Sequence, residues 1–142
     1  MNKPPSRETF VVHCSSAVYQ PHFQEFLRRD QRLDHYALLA LPGGVQGLTL
    51  EEYLPKFSWA GWRYIKFLMD LDAPSRIILI GHQDCRWYQR GPLTHMVESE
   101  RQRQESDLRK VAASWRSRFP ASAVETHYAT MTAGRATFDA IR

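Results

Sequence analysis

Three short apolar runs, separated by longer segments with helical spacing, limit the folds that this chain can adopt. The runs predict strands over Thr9–Cys14, Tyr36–Leu41 and residues 76–81. The first has the composition of a strand buried on both faces, and the second is also predicted to be buried. Strands that alternate with helices along a chain form α/β folds with a mainly parallel sheet. We therefore predict a three-layer α/β/α fold with a mostly parallel sheet of about four to five strands.

Helices are predicted in the segments between these strands. Pro21 suits a first helical turn, and Phe23, Phe26 and Leu27 follow at the spacing of one helix face. A second helix, over residues 50–71, is apolar around much of its circumference and therefore has more than one surface to cover. It packs either in a subunit interface, where aromatic residues are enriched, or between the layers of one monomer.

The last third of the sequence predicts one more helix and two strands. The helix covers residues 94–118, and Pro120 follows its end. Residues 125–131 and 135–141 are strand-like and are separated by a short glycine-containing turn, which predicts a closing hairpin. No linker or shift in composition divides the chain, so residues 1–142 are predicted to form a single domain.

Two cysteines and one histidine lie at the ends of predicted strands. Cys14 ends the first strand, and His82 and Cys85 follow the third at a spacing of three residues. Two thiolates and an imidazole are a strong ligand set for Zn²⁺ and leave a fourth coordination position open. In open α/β sheets, sites form at the carboxyl ends of strands where the strand order reverses. If the first strand is central, these three residues meet there and form a zinc site.

Other roles for the two cysteines remain as alternatives. Cysteines at strand ends also occur as small buried apolar residues, and a pair can form a disulfide or a redox couple. Residues 1–8 contain no apolar segment like that of a signal peptide, which predicts a cytoplasmic protein. A Cys14–Cys85 disulfide is therefore disfavoured, because the cytoplasm keeps thiols reduced.

The charge pattern and the apolar pattern both bear on possible partners. The net charge is +4, but arginines alternate with acids and amides at residues 98–105 and form no basic cluster. Nucleic-acid binding ordinarily needs such a cluster, so no nucleic-acid partner is predicted. No apolar stretch approaches the roughly 20 residues that span a bilayer, so no membrane partner is predicted.

The two ligand segments resemble those of the β-class carbonic anhydrases. That family has Cys-x-Asp-x-Arg after its first parallel strand and His-x-x-Cys after its third. The corresponding segments here are Cys14-Ser15-Ser16-Ala17-Val18 and Gly81-His82-Gln83-Asp84-Cys85. A glycine turn at residues 42–44 and the terminal hairpin extend the resemblance over most of the chain. The resemblance implies a homo-oligomeric Zn²⁺ protein whose small-molecule substrate is carbon dioxide or bicarbonate.

Two positions depart from the family pattern. Ser16 stands at the family's aspartate and Val18 at its arginine, a pair that accepts a hydrogen bond from zinc-bound water or hydroxide and orients it. Ser16 thus occupies the catalytic position, but its hydroxyl is neutral and short. We predict a weak or altered hydratase acting on carbon dioxide or a related small electrophile. The alternative is a catalytically silent relative in which zinc is structural and the protein acts in assembly or binding.

Four further residues lie near the predicted ligands in sequence. His13 precedes Cys14 and points to the opposite face of an extended strand, which favours a buried structural role. Asp84 lies inside the ligand segment, where capping the backbone or supporting a ligand is favoured over contact with the metal. Tyr19 and His22 follow the first strand and either line the mouth of the site or relay protons, or are ordinary surface residues; their spacing does not distinguish these roles.

Overall fold

The computed structural model describes residues 8–49, 55–90 and 99–142, apart from the side chains at positions 55–61 and 72. In chain order the elements are β1 (Thr9–Cys14), α1 (Gln20–Glu25) with a π-helical continuation (Phe26–Asp30), β2 (Tyr36–Leu41), a 3-10 turn (Gln46–Thr49), α2 (Pro55–Asp72), β3 (Arg76–His82), α3 (Arg86–Arg90), α4 (Glu100–Arg118), β4 (Ala123–Thr132) and β5 (Arg135–Ala140). None of these described helices is long and apolar enough to cross a membrane.

The strands form one sheet in the order β2-β1-β3-β4-β5. β1 pairs in parallel with β2 and β3, and β3 pairs in parallel with β4. β5 pairs antiparallel with β4 and forms the C-terminal hairpin. The order therefore reverses between β1 and β3. The predicted α/β fold, a mostly parallel sheet with a closing hairpin, is confirmed.

Buried apolar side chains cover both faces of the sheet. On one face, Phe10 of β1 belongs to a core cluster with Ile65 of α2 and Leu108 of α4. On the other face, Val11 belongs to a second cluster with Phe23 of α1. Each of these side chains is almost fully buried, and such burial contributes roughly 1.5–3 kcal/mol for a large apolar side chain. The alternation along β1 thus separates the helices into two layers.

The start of α4 differs from its prediction. Residues 94–98 of the predicted helix lie outside the described residues, and Ser99 is extended, with φ −63° and ψ 158°. The Ser99 hydroxyl accepts a hydrogen bond from the backbone N–H of Gln102 at 3.2 Å, and the Gln102 side chain accepts one from the Ser99 N–H at 3.0 Å. This reciprocal cap begins the helix at Glu100, so the prediction of helix at Ser99 is wrong.

The other bounds differ from their predictions by a few residues. β3 continues to His82, β4 runs from Ala123 to Thr132, and β5 ends at Ala140. Residues 50–54 of the predicted second helix lie outside the described residues. No sequence pattern predicted α3 or the 3-10 turn, because segments of four or five residues are too short to show a period.

One face of α2 is buried and another is exposed. Ile65 and Met69 are buried in the core that covers the sheet. Tyr64, Phe67 and Leu71 are 65%, 63% and 65% exposed. Part of α2 therefore packs within the monomer, and the predicted subunit interface concerns the exposed face, where it stays a prediction.

Candidate metal site

Three elements bring Cys14, His82 and Cys85 together. Cys14 ends β1, His82 ends β3, and Cys85 directly precedes α3. Because β1 and β3 are parallel neighbours, their carboxyl ends lie at the same edge of the sheet. The sulfur atoms of Cys14 and Cys85 are 3.9 Å apart, and the ligand atoms of all three residues lie within 4.8 Å of one another. All three residues are buried.

A glycine turn after β2 closes the site around Cys14. Gly43 has φ +76° and Gly44 has φ +60°, which are conformations that glycine adopts without steric cost. The Gly43 N–H donates a hydrogen bond to the Cys14 sulfur at 3.4 Å. A Cβ added at Gly43 would overlap the Trp87 indole, so the turn and α3 can approach each other only with glycine at this position.

The imidazole of His82 is oriented so that one nitrogen stays available. Its Nδ1 lies 2.8 Å from the Gln83 carbonyl oxygen, which can only accept, so Nδ1 carries the proton. Nε2 is then an acceptor, and it is buried with no hydrogen-bond partner in the described part of the chain. Buried polar atoms are nearly always satisfied, and a histidine that ligates a metal commonly donates its other nitrogen to a carbonyl. The site therefore fits a metal ion.

Side chains of α4 hold the backbone of the ligand segment. Gln104 accepts from the His82 N–H at 3.0 Å and donates to the His82 carbonyl at 2.7 Å. Glu100 accepts from the Cys85 N–H at 2.7 Å and from the Gln104 amide at 3.1 Å. No sequence signal marked these two residues, because they contact backbone groups of a distant segment. No sequence signal marks Tyr88 of α3 either, because its hydroxyl donates at 2.6 Å to a side chain 19 residues away, that of Asp107.

The two thiols lie close enough to form a hydrogen bond with each other. This contact lowers the pKa of Cys14 below its ordinary value. The pKa of Cys85 is raised, first by this same hydrogen bond and then by burial. Cys14 is therefore the more acidic thiol of the pair, and binding of a cation to both sulfurs would release the protons that the pair still carries.

A cleft of about 650 Å³ opens beside the three residues. Cys14 and His82 line it together with Ser16, Tyr19 and Trp87. Ser16 is half-buried, and its hydroxyl oxygen accepts a hydrogen bond from the Tyr19 N–H at 3.4 Å. The structure thus places the predicted catalytic residue in the wall of the cleft, next to the candidate ligands.

Two of the remaining candidates line this cleft and two lie elsewhere. His13 is buried outside the three-residue group, with its ring 4.4 Å from that of Phe23. Asp84 is exposed in the ligand turn, has φ +58° and lines the cleft. Tyr19 lines the same cleft, and burial raises the pKa of its phenol. His22 lines a different cleft, beside the C-terminal hairpin.

Two solved structures of carbonic anhydrases are similar to this fold. The carbonic anhydrase from Glaciozyma antarctica has a TM-score of 0.58 at 12% identity, over 96% of this chain and 84% of its own. The carbonic anhydrase from Streptococcus mutans has a TM-score of 0.59 at 13% identity, over 99% of this chain and 84% of its own. No protein-family model and no curated protein matches the sequence significantly. At these identities the likeness establishes a shared fold, so this chain has the fold of the two carbonic anhydrases.

Proposed function

We propose that the protein binds Zn²⁺ through Cys14, His82 and Cys85 and is a weak or altered hydratase of carbon dioxide or a related small electrophile. One observation carries the proposal: the unpartnered Nε2 of His82 is buried within 4.8 Å of two cysteine sulfurs. The shared carbonic anhydrase fold supports the reaction class.

The donor set and its spacing favour zinc. Zinc–thiolate bonds of about 2.3 Å in a tetrahedral site separate two sulfurs by roughly 3.8 Å. The sulfurs of Cys14 and Cys85 are already 3.9 Å apart. Thiolate and imidazole together select Zn²⁺ over hard cations such as Mg²⁺ or Ca²⁺, which take oxygen ligands. When bound, the ion would lower the pKa of a water molecule at its open position towards neutrality.

The residues around the open position would make the reaction slow. Ser16 lines the cleft, and because its oxygen accepts from the Tyr19 N–H, its O–H can donate to a bound ligand. It supplies no charge, and Val18 is 67% exposed and apolar. Loss of one preorganised polar group at a reacting centre lowers rates by about 10²–10³-fold.

Metal analysis and stopped-flow hydration test this proposal. We expect about one zinc ion per purified wild-type chain, and loss of zinc in Cys85→Ser and His82→Ala, because three protein ligands are needed for a tight site. His35→Ala is the matched control, since His35 is exposed outside the site. Hydration above the buffer rate should disappear in His82→Ala and persist in His35→Ala. Equal zinc in wild type and Cys85→Ser would contradict the proposal.

A silent relative with structural zinc is the second candidate. The observation in its favour is that a neutral serine and an exposed valine, Ser16 and Val18, stand where the resemblance places the orienting pair. In this case, wild type would bind zinc and unfold at lower temperature after chelation, yet show no hydration above buffer. Hydration that depends on His82 excludes this candidate.

The proposal includes a homo-oligomer. Its support is the exposed apolar face of α2, formed by Tyr64, Phe67 and Leu71, since contiguous exposed apolar side chains mark interfaces. Light scattering should give a mass above that of one chain for wild type, and a lower mass for Phe67→Glu. Lys66→Glu, on an exposed position of the same helix, is the control. A monomeric wild type would contradict this part.

A further inference from the structure

The Tyr19 side chain ends in a polar group that the fold does not satisfy. Tyr19 is only 4% exposed, and its hydroxyl oxygen is buried with no hydrogen-bond partner within the described part of the chain. Buried hydroxyl groups nearly always find a partner, and the exceptions concentrate at sites that bind or react. Together with His82 Nε2, this hydroxyl is one of two unpartnered buried groups among the residues that line the 650 Å³ cleft.

The Tyr19 ring is fixed directly beside the candidate metal ligand. Its centroid lies 4.3 Å from that of the His82 ring and 5.6 Å from that of Phe23. The backbone on either side is also held: Ser16 accepts from the Tyr19 N–H, and the Phe23 N–H donates to the Tyr19 carbonyl at 2.8 Å. The phenol therefore has few alternative positions, and its ring is held against that of His82 on the side of the cleft.

A phenol at this place would change which ligands the cleft accepts. The aspartate of the family pattern, whose position Ser16 occupies here, has a carboxylate that only accepts hydrogen bonds. Such a carboxylate selects ligands that carry a proton to donate. A tyrosine hydroxyl is neutral near pH 7 and donates its proton to an acceptor. Hydrogen bonds from a neutral donor to a charged acceptor are stronger than those between neutral groups, which favours anions.

We propose that the Tyr19 hydroxyl donates a hydrogen bond to a small inorganic anion bound in the cleft beside His82, and so selects ligands that act as acceptors, such as bicarbonate. This inference rests on the proposed metal site. Tyr19 then acts as a ligand-binding residue, at a position that the sequence pattern did not distinguish from ordinary surface residues.

The test uses azide as the probe anion and the full chain loaded with Co²⁺, whose visible absorption responds to its ligands. Wild type, Tyr19→Phe and Tyr36→Phe are titrated with Co²⁺ and then with azide. Tyr36→Phe is the matched control, because Tyr36 begins β2 at the end of the sheet away from the site. We expect Tyr19→Phe to bind Co²⁺ as wild type does, but to bind azide at least about tenfold more weakly, the effect of losing one hydrogen bond to an anion. Tyr36→Phe should match wild type in both titrations.

The possible failures are distinguishable. If none of the proteins takes up Co²⁺, the proposed metal site is wrong and this inference with it. If all three take up Co²⁺ but Tyr19→Phe binds azide within twofold of wild type, only the role of Tyr19 is wrong. The same holds if cobalt-loaded wild type does not bind azide, or if Tyr19→Phe loses Co²⁺ and azide affinity together. In that last case the hydroxyl supports the ligand segment, and thermal unfolding of the metal-free variant would show a matching loss of stability.

Discussion

Polar groups near the two ends of the sheet differ in whether they have hydrogen-bond partners. At the amino end of β3, the Arg76 guanidinium donates to both oxygens of the Glu125 carboxylate and to the Gln31 side chain. At the carboxyl end, His82 Nε2 and the Tyr19 hydroxyl are buried without partners in the described residues. Groups that satisfy one another contribute to stability, whereas unsatisfied groups beside a cleft are available to a ligand. We infer that the amino end serves stability and the carboxyl end serves binding.

The largest expected effect concerns the support of the ligand segment. In Gln104→Leu, the His82 N–H and carbonyl lose their partner inside the protein. Because each buried unsatisfied group costs about 1–3 kcal/mol, we expect the free energy of unfolding to fall by about 2–4 kcal/mol. Urea unfolding of the metal-free protein measures it. Gln24→Leu, at an exposed position on α1, should change it by less than about 0.5 kcal/mol. Equal effects of the two substitutions would contradict the supporting role of α4.

The second-largest effect is expected at Ser16 and Val18, two uncharged residues that line the cleft. The double substitution Ser16→Asp with Val18→Arg introduces the charged pair of the family pattern, which would orient a nucleophile next to the metal. We expect carbon dioxide hydration to rise by about 10- to 100-fold, by the scale for one preorganised polar group. Ser15→Asp with Val18→Arg adds the same charges with the acid one residue away, and stopped-flow rates should show little gain. A similar gain in both would indicate a general effect of charge.

Most of the fold is predictable from the sequence because it depends on local patterns. The runs at Thr9–Cys14 and Tyr36–Leu41 have the predicted strand bounds, because a continuous apolar run bounded by turn residues indicates a strand. The prediction of burial is confirmed for β1 and wrong for β2, which lies at the edge of the sheet and has Leu38 44% exposed. The beginning of α4 is not predictable in this way, because its cap depends on a reciprocal contact between Ser99 and Gln102, and several other residues in that polar stretch resemble a cap equally well.

The candidate site is only partly predictable. The three candidate ligands are chemically distinctive and lie at strand ends. Spacing and topology therefore predict that they meet, and in the structure they do. Gln104 and Glu100 act on backbone groups, and backbone groups leave no trace in a sequence motif. No sequence feature separates Tyr19 from His22, because the lack of a partner for a buried hydroxyl is a property of the folded chain alone.

A smaller effect is expected at the amino end of the sheet. Arg76 lowers the pKa of Glu125, so the pair stabilises the fold above the ordinary carboxyl pKa of 4.5 and loses this contribution as the pH falls below it. With the two side chains 27% and 35% exposed, we expect Glu125→Gln to cost about 1 kcal/mol at pH 7. Glu25→Gln, from an exposed pair with Arg29, should cost almost nothing. Zinc content should be unchanged in both. A loss of zinc in Glu125→Gln would contradict the inference that the amino end serves stability alone.

The smallest effect is a pH dependence at His127. Burial lowers the pKa of His127 from its ordinary 6.5, although Glu125, 3.8 Å away, opposes the shift. As the pH falls through 6.5, the unfolded chain takes up this proton more readily than the fold does, so the free energy of unfolding decreases. The slope from this one group stays below about 1.4 kcal/mol per pH unit. We expect His127→Gln to reduce the slope measured by urea unfolding between about pH 7 and 5.5, and the exposed His35→Gln to retain it. An unchanged slope in His127→Gln would show that His127 is protonated equally in both states, and that the carboxylate beside it offsets its burial.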